Sequence, residues 1–481
     1  MQAALPVCCP SGVAGALPVP DALLVALAVL HVGTRLLLTV VAAGIAVSSL
    51  DDIFVDAVYF ARNVWRHGVV YRRHAKLHAD DLISDDPGWM AIIVPAWDEA
   101  AVIAAMLRDC TRRLDYPRYR IFVGSYPNDP ATLAAAASVG DGRIQQVVCT
   151  RPGPTTKADC LNHLWRAVQA HEAMMGWRFK AIVLHDAEDV VHARELHVYD
   201  HLIPKLAMVQ LPVAPLVDGG SRWISGHYLD EFAEAHAKDI VVREALGAAV
   251  PSAGVACAID RNMLEHLAGP HGHPFDPACM TEDYELGIRI KAAGGRGALV
   301  RIRGDAGETV ATREHFPATL DAALRQKTRW LLGISLNGWD RVGWPGNWAD
   351  RYMLLRDRKA ILTALLTAAG YSASVLVLLD LALARLSPKL EAFGPLVAAG
   401  SGLATLLWFN AAMLGWRIGL RAGFTTLAHG WREGLRSIPR VVIGNLINAA
   451  AAWRAMQRYR AILRGSIQPA WDKTAHRFPS G

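Results

Sequence analysis

The chain has 481 residues, of which 52% are hydrophobic and only 20% are charged, with a formal net charge of +6. It is too apolar for an ordinary soluble enzyme and too polar for a pure membrane transporter. The composition therefore predicts a soluble domain with attached membrane helices.

The first apolar segment, residues 22–50, contains only His31 and Arg35 as ionisable side chains. At about 1.5 Å per residue it is too short to cross a hydrocarbon core of about 30 Å twice, so it predicts one long tilted transmembrane helix. No basic n-region precedes it, which argues against a cleaved signal peptide. Residues 360–379 and 394–416 lack charge and predict two further spans, with Asp380 marking the end of the first of these.

Lys and Arg residues are concentrated at particular membrane borders. Residues 1–21 contain none and residues 385–393 contain two, whereas residues 61–76, 341–360 and 417–440 contain five each. The positive-inside rule therefore predicts that the large middle segment is cytoplasmic. Attraction to anionic lipid explains this basic charge, so no nucleic acid partner is predicted.

The middle segment alternates apolar runs with amphipathic stretches. MAIIVPA, YRIFVGSY and RIQQVVCT predict strands that alternate with helices, and FKAIVLHDAED at 179–189 predicts a strand that ends in acids. This rhythm indicates an α/β domain with a mainly parallel sheet. The chain has no G-x-G-x-x-G after the first strand and no P-loop, and GGRG at 294–297 is predicted to end a helix.

Polar clusters lie at the ends of the predicted strands and helices. Asp98 and Glu99 follow MAIIVPA, where they fit equally well as an N-cap pair and as part of a ligand site. Lys157 precedes an apolar helix; a phosphate partner would explain this cation, although a solvated lysine is commoner. The strand at 179–189 ends in three acids, Asp186, Glu188 and Asp189. Crowded carboxylates repel unless a cation lies among them, and oxygen ligands suit Mg²⁺ or Mn²⁺.

Two motifs follow later in the chain. CMTEDYELGIRIKAAGG at 279–295 fits an acidic helix start capped by Thr281, or a general base at the mouth of a cleft. RQKTRW at 325–330 lies before the predicted membrane helices.

The order of these motifs resembles that of the processive family 2 glycosyltransferases, the group that includes cellulose and hyaluronan synthases. The DxD-like Asp186–Glu188, the TED of Thr281–Asp283 and the QxxRW of Gln326–Trp330 occur in the family's order and with family-like spacing. VGSYPNDPAT, DAED, GNLINAAAAWRA and WDKTAHRFP resemble the phage-adsorption-protein-B branch of that family, and the likeness covers residues 36–479. Longer members of the branch carry a C-terminal cyclic-dinucleotide-sensing domain, which we expect this chain to lack.

The resemblance implies a GT-A (Rossmann-like) domain with a divalent metal and a general base. Asp186 and Glu188 would hold Mg²⁺ or Mn²⁺, with Asp189 as a third acid. Asp283 would be the catalytic base. The neighbouring acids Glu282 and Glu285 are expected to be capping and solvated residues.

The resemblance also implies how the two substrates bind. Gln326 and Arg329 would bind the diphosphate of the donor, and Trp330 would stack on the acceptor sugar. The nucleotide pocket would be lined by Asp98, Glu99 and Lys157. Asp186 would also contact the donor. Relatives carry a base-reading aspartate pair where this chain has Gly124, Ser125 and Tyr126, so the nucleobase is left open, with a UDP-sugar as the preferred donor.

These roles predict a metal-dependent, inverting hexosyl- or N-acetylhexosaminyl-transferase of the bacterial inner membrane that extends a polysaccharide. A lipid-linked acceptor and an outer-membrane export partner are further candidate partners beside the lipid bilayer. Two alternatives stay open: a non-catalytic scaffold or phage-uptake component on the same fold, and a transferase that adds one sugar to a lipid carrier.

The expected organisation has six segments: an N-terminal transmembrane segment at 1–50, a juxtamembrane cytoplasmic linker at 51–87, the GT-A domain at 88–340, an interfacial segment at 341–359, two transmembrane helices at 360–416, and an interfacial amphipathic region at 417–481. Within the last region, residues 438–464 predict an interfacial helix, with a short re-entrant element as the alternative.

Overall fold

The computed structural model describes residues 21–304, 307–386, 393–465 and 477–479. Its helices are α1 Asp21–Trp65, α2 Tyr71–Arg73, α3 Ile103–Arg113, α4 Pro130–Ala137, α5 Lys157–Met175, α6 Glu195–Leu202, α7 Gly226–Glu234, α8 Ile240–Ala245, α9 Arg261–Ala268, α10 Glu282–Ala292, α11 Leu320–Leu331, α12 Gly338–Val342, α13 Trp348–Arg358, α14 Ala360–Leu386, α15 Gly402–His429 and α16 Trp431–Leu463. Its strands are β1 Met90–Pro95, β2 Tyr119–Ser125, β3 Ile144–Val148, β4 Ala181–Leu184, β5 Met208–Gln210, β6 Val213–Pro215, β7 Cys257–Asp260, β8 Gly297–Leu299 and β9 Thr312–Glu314.

One mixed sheet organises the soluble domain, with the strand order β3-β2-β1-β4-β7-β5-β8. Strands β3, β2, β1 and β4 are parallel, β7 runs antiparallel to both β4 and β5, and β5 is parallel to β8. Strands β6 and β9 form a separate parallel pair. The predicted mainly parallel sheet is confirmed, and all four strands predicted from apolar runs lie in its parallel part.

Both faces of the sheet are covered by helices. Along β1, Ile92 and Val94 belong to the core that also contains residues of α3, whereas Ala91 and Ile93 belong to the core that contains residues of α5. Because every residue of β1 is buried, the strand is a continuous apolar run without polar alternation. This is why β1 could be found from the sequence.

Three of the described helices are long and apolar enough to cross a membrane: Ala22–Arg73, Ala360–Arg385 and Gly402–His429. The first is a single long helix, as predicted. The third begins at Gly402 and not at residue 394, because residues 394–401 form turns in which Gly394 and Gly400 adopt φ values of 75° and 71°.

The chain divides into two compact units. Of the described residues, the first contains 21–46, 369–386 and 393–410, which include the apolar parts of α1, α14 and α15. Within it, Nδ1 of the buried His31 lies 3.2 Å from both carboxylate oxygens of the buried Asp380. Because α14 continues to Leu386, Asp380 does not mark the end of the helix as expected. A partner in the protein is what makes a carboxylate acceptable in such a helix.

Of the described residues, the second unit contains 47–304, 307–368, 411–465 and 477–479, and in it α16 packs against α7 and α11. The helix covers the predicted segment 438–464 and starts earlier, at Trp431. Its buried face includes Gly444, Ile447, Ala451 and Ala455, and small side chains there allow close contact between helices. The GNLINAAAAWRA motif therefore supplies a packing surface for the soluble domain, while its contact with the membrane interface stays a prediction.

A buried ion-pair network joins α16 to α7. Arg440 is fully buried; its Nη2 donates to Oδ1 of Asp230 at 2.7 Å and its Nη1 donates to Oε2 of Glu433 at 2.7 Å. A Cβ atom at Gly226 would lie 2.4 Å from Nη1 of Arg440, so glycine is required beside the guanidinium group.

Replacing Arg440 with Met should lower the free energy of unfolding by about 3–5 kcal/mol, because two buried carboxylates lose the guanidinium group that pairs with both of them. Thermal unfolding of detergent-solubilised protein would measure the change. Arg432→Met, at an exposed position of the same helix, is the control and should change stability by no more than about 0.5 kcal/mol. Equal melting temperatures for the two variants would contradict the structural role of Arg440.

Candidate active site

The loop after β4 carries Asp186 and Glu188 at the carboxyl end of the parallel strands. Glu188 is buried, whereas the side chain of Asp186 keeps 29% of its surface exposed. In open α/β sheets this edge is where ligands bind. Asp186 is therefore accessible to a ligand, whereas Glu188 is shielded from solvent.

Asp189 anchors this loop through one of its two carboxylate oxygens, and its expected role as a third acid at the metal stays a prediction. One of its carboxylate oxygens, Oδ2, accepts the backbone N–H of Asp186 at 3.0 Å and lies 2.8 Å from Nδ1 of His185. Nε2 of His185 lies 2.8 Å from Oε1 of Glu195. Burial alone would lower the pKa of His185, but the carboxylates of Glu195 and Asp189 raise this pKa to about 10. The buried His185, held between two acids, thus fixes the loop.

Lys157, the first residue of α5, is the cation that lies among these acids. Its Nζ is 2.6 Å from Oδ1 of Asp186 and 3.9 Å from Oε1 of Glu282. Burial alone would lower the pKa of Lys157, but the carboxylates of Asp186, Glu282 and Asp283 raise this pKa above its ordinary value. Lys157 is thus not a solvated lysine, and it joins the β4 loop to the TED motif.

The TED motif starts α10, and Thr281 occupies the N-cap position without a side-chain hydrogen bond to the helix. Instead, Thr281 packs against Gly333, where a Cβ atom would lie 2.4 Å from Cγ2 of the threonine. Gly333 belongs to the π-helical turn Leu332–Asn337, which directly follows α11 and the QxxRW motif. The absence of a side chain at residue 333 therefore lets the two motifs touch.

Asp283 is partly buried beside Gly254, where a Cβ atom would lie 2.7 Å from Oδ2 of the aspartate. Burial raises the pKa of Asp283, an effect that the positive charges of Lys157 and Arg329 partly offset. A carboxylate with a raised pKa is a better proton acceptor. The structure thus gives Asp283 surroundings that suit a general base.

The two other acids of the motif are not solvated, contrary to expectation. Glu282 is buried, and this burial, together with the neighbouring Asp283, raises its pKa to about 7. Glu285 accepts a hydrogen bond from Nε of Arg341 at 3.0 Å and lies 3.0 Å from Sγ of Cys279. Sequence patterns could not reveal these roles, because both depend on neighbours from other elements.

The QxxRW motif lies on α11, whose N-cap Thr319 accepts a hydrogen bond from the backbone N–H of Ala322. Oε1 of Gln326 is buried and has no hydrogen-bond partner within the described residues. The charge of Arg329 lowers the pKa of both Glu282 and Asp283, which places this guanidinium group near the TED motif.

Trp330 lies among aromatic side chains of the protein. Its ring is edge-on to Tyr228, with centroids 6.0 Å apart, and tilted against Phe232 at 6.3 Å. Lys327, which sequence reasoning missed, is buried, pairs with Glu231 and lies 5.5 Å from the ring centroid of Trp330. Stacking of Trp330 on an acceptor sugar stays a prediction.

Asp98 and Glu99 follow β1, the neighbour of β4 in the sheet. They do not cap α3, because that helix begins at Ile103 with Val102 as its N-cap. Asp98 is exposed and adopts a φ of 54°, while the backbone N–H of Asp98 donates to Oδ2 of Asp129 at 2.6 Å. Both acids therefore lie at the same sheet edge as Asp186.

Gly124, Ser125 and Tyr126 occupy the position that the family resemblance assigns to an aspartate pair, and other side chains fill the space beside Gly124. A Cβ atom at Gly124 would lie 2.6 Å from Sγ of Cys160, so a side chain there would require a shift of the neighbouring residues. Tyr126 is buried, its hydroxyl lies 2.7 Å from Oγ1 of Thr155, and its ring is edge-on to Trp97. Asn128 exchanges two hydrogen bonds of 2.7 Å with the backbone of Gly153. Sequence reasoning named neither Trp97 nor this loop pairing as part of the site.

A divalent metal fits these residues only with ligands from elsewhere. Within the described part of the chain, no three or more His, Cys, Asp or Glu side chains are arranged to hold a metal ion. Asp186 and Glu188 supply two carboxylates, which are suitable ligands for Mg²⁺ or Mn²⁺. The remaining ligands would be diphosphate oxygens and water.

Comparison with known proteins places the chain in a family. Residues 87–333 match the family described as glycosyltransferase like family 2. The chain is 37% identical over 468 residues to bacteriophage adsorption protein B of Escherichia coli K12 and, equally, to bacteriophage N4 adsorption protein B of E. coli O157:H7. Each alignment covers 93% of this chain but only 63% of the relative.

A solved structure shares the fold. The mannosyltransferase from Pyrobaculum calidifontis in complex with GDP-Man and Mn²⁺ is 16% identical to this chain, with a TM-score of 0.51 over 88% of this chain and 99% of that chain. The chain therefore belongs to the glycosyltransferase-like family 2 and has the GT-A fold, with candidate membrane helices before and after the family 2 domain in the sequence.

Proposed function

We propose that this protein is a membrane-anchored, inverting glycosyltransferase that transfers a hexosyl or N-acetylhexosaminyl group from a nucleotide sugar, with a UDP-sugar as the preferred donor, to a growing polysaccharide. The convergence of Lys157, Asp186 and Asp283 at the carboxyl edge of the sheet carries the proposal. The basic membrane borders support a cytoplasmic catalytic domain on the bacterial inner membrane. The lipid bilayer and an outer-membrane export partner complete the proposed partners.

In the proposed reaction, Asp283 takes the proton from the attacking acceptor hydroxyl. Arg329, Gln326 and Lys157 bind the donor diphosphate, where their hydrogen bonds and positive charges stabilise the leaving group. A divalent metal held by Asp186 and Glu188 would neutralise further charge on that diphosphate. Attack from the side opposite the leaving group inverts the anomeric centre.

The proposed donor side is supported by the fold neighbour, which was solved with GDP-Man and Mn²⁺. Asp98 and Glu99 lie at the edge where a nucleotide would bind, and Trp330 is the proposed acceptor contact. At Gly124 the space for a side chain is filled, so this chain lacks the aspartate pair that the family resemblance assigns to base recognition. The donor panel must therefore include both UDP- and GDP-sugars.

EDTA should abolish sugar transfer, because two protein carboxylates and the donor diphosphate need a shared cation. Incorporation of labelled sugar by membranes should stop on chelation and return when Mg²⁺ or Mn²⁺ is added in excess. EDTA already saturated with Mg²⁺ is the control and should have no effect. Undiminished transfer in metal-free buffer would contradict the proposed metal site.

A panel of radiolabelled nucleotide sugars, followed by separation of products by size, tests the proposed function directly. Label in long chains from one donor would establish a polymerase and name its substrate. Label confined to a small lipid product would support transfer of one sugar to a lipid carrier. Failure of every donor to label a product would support a scaffold or phage-uptake role. In such a role Asp186, Asp283 and Arg329 would have no catalytic function.

A further inference from the structure

A basic cavity lies apart from the residues of the candidate active site. It has a volume of about 400 Å³, and four arginines line it: Arg108, Arg112 and Arg113 of α3 and Arg313 of β9. Most of the remaining lining is apolar, with contributions from Val190, Leu216 and Phe478. The cavity is partly open to solvent, and its size is sufficient to hold a small organic molecule.

Positive charge is in excess around this cavity. Asp109, the acid among the lining residues, accepts hydrogen bonds from Nη2 of Arg112 at 2.6 Å and from Nε of Arg113 at 2.5 Å. Nη2 of Arg108 donates to the neutral hydroxyl of Ser138 at 3.1 Å. The guanidinium group of Arg313 has no ion pair within the part of the chain that the structure describes. Four cations thus share one carboxylate.

We propose that this cavity binds a nucleotide or a similar small organic phosphate with two or more negative charges, at a site separate from the donor site. Planar guanidinium groups bind phosphate oxygens through paired hydrogen bonds, and several of them together compensate more than one negative charge. The apolar lining and the ring of Phe478 suit a flat ring attached to the phosphate groups. The four arginines are exposed to solvent, but a solvated arginine patch alone would not explain the apolar side chains of Leu216 and Phe478 beside them.

The backbone connects this cavity to the loop of Asp186 and Glu188. Val190 and Arg313 exchange two backbone hydrogen bonds, of 2.8 and 3.0 Å. Val190 directly follows Asp189, whose carboxylate holds the backbone N–H of Asp186. A phosphate that draws Arg313 toward it therefore acts on the segment paired with the loop of the candidate active site. The occupant is placed to regulate transfer, with this hydrogen-bonded pair as the coupling element.

The test uses the full chain in detergent and two probes, ATP and inorganic pyrophosphate, in metal-free buffer. The donor site is first disabled with Lys157→Gln and Arg329→Gln, so that calorimetry reports on the cavity alone. This parent should bind ATP at one site, and more tightly than pyrophosphate because pyrophosphate has no ring. Adding Arg108→Gln and Arg313→Gln should weaken ATP binding at least tenfold, whereas Arg178→Gln, at an exposed position elsewhere, should leave it unchanged.

Several results would overturn the proposal. They are absence of ATP binding to the folded parent, and equal ATP affinity with and without the Arg108 and Arg313 substitutions. Equal affinity for ATP and pyrophosphate would show that the cavity does not recognise a ring, contrary to the proposal. Circular dichroism and melting curves establish that each variant is folded. Hydrogen exchange at Val190 and Arg313 should slow when ATP binds, and unchanged exchange with ATP bound would overturn the coupling to the active-site loop.

Discussion

Asp283→Asn is expected to reduce sugar transfer by about 10²–10⁴-fold, the range that general bases contribute. The amide keeps the shape of the side chain but cannot accept the proton of the acceptor hydroxyl. Because Asp283 accepts a hydrogen bond from the backbone N–H of Tyr284 through Oδ1, the asparagine can preserve this contact with its carbonyl oxygen. Rates of label incorporation from the donor that the panel identifies would measure the loss.

Donor binding separates loss of the base from loss of the fold. The asparagine variant should bind the donor about as tightly as the wild type, and calorimetry with the unlabelled nucleotide sugar would show this. Asp85→Asn replaces an exposed aspartate outside the site and should leave the transfer rate unchanged. Transfer by Asp283→Asn at the wild-type rate would end the assignment of Asp283 as the base.

Lys157→Met is expected to weaken donor binding by about 10–100-fold, since hydrogen bonds to charged groups contribute about 1.5–3 kcal/mol. The substitution removes the ammonium group that lies between Asp186 and Glu282. Without it, the crowded carboxylates repel both one another and the incoming diphosphate. Donor affinity, measured by calorimetry in the presence of Mg²⁺, would report the effect.

Lys157→Arg is the matched variant, because it keeps the positive charge but changes the geometry of its hydrogen bonds. It should retain more donor affinity than Lys157→Met. Wild-type affinity in the methionine variant would show that Lys157 serves the fold alone and does not contact the donor. Melting temperatures distinguish a specific binding defect from unfolding. Lowered melting temperatures in both variants would show that the substitutions destabilise the fold.

The activity of the relatives cannot be transferred as a whole, because the chain spans 63% of their length. What is shared is the family 2 domain with its flanking segments. The proposed reaction therefore depends on residues present in this chain, chiefly Lys157, Asp186 and Asp283. Each of them has an experiment whose result does not depend on the relatives.

Much of the fold could be predicted from local sequence. The strands MAIIVPA and YRIFVGSY are buried on both faces, so their apolar runs are continuous and visible without any knowledge of their partners. The long helix near the N-terminus followed from hydropathy and length in the same way. The start of α15 was predicted eight residues too early, because apolar composition does not reveal turns at Gly394 and Gly400.

The candidate site was predicted as a set of motifs, and the tertiary structure decided what each residue touches. The sequence by itself determined the order of the motifs and the strand ends that carry Asp98 and Asp186, because these depend on covalent order and local periodicity. Only the tertiary structure placed His185 between Asp189 and Glu195, buried Glu282, and placed Lys157 against Asp186. The burial of a side chain and the charges around it are set when segments that are distant in the sequence pack together. The packing of α16 against α11 is a contact of this kind, which no local sequence pattern encodes.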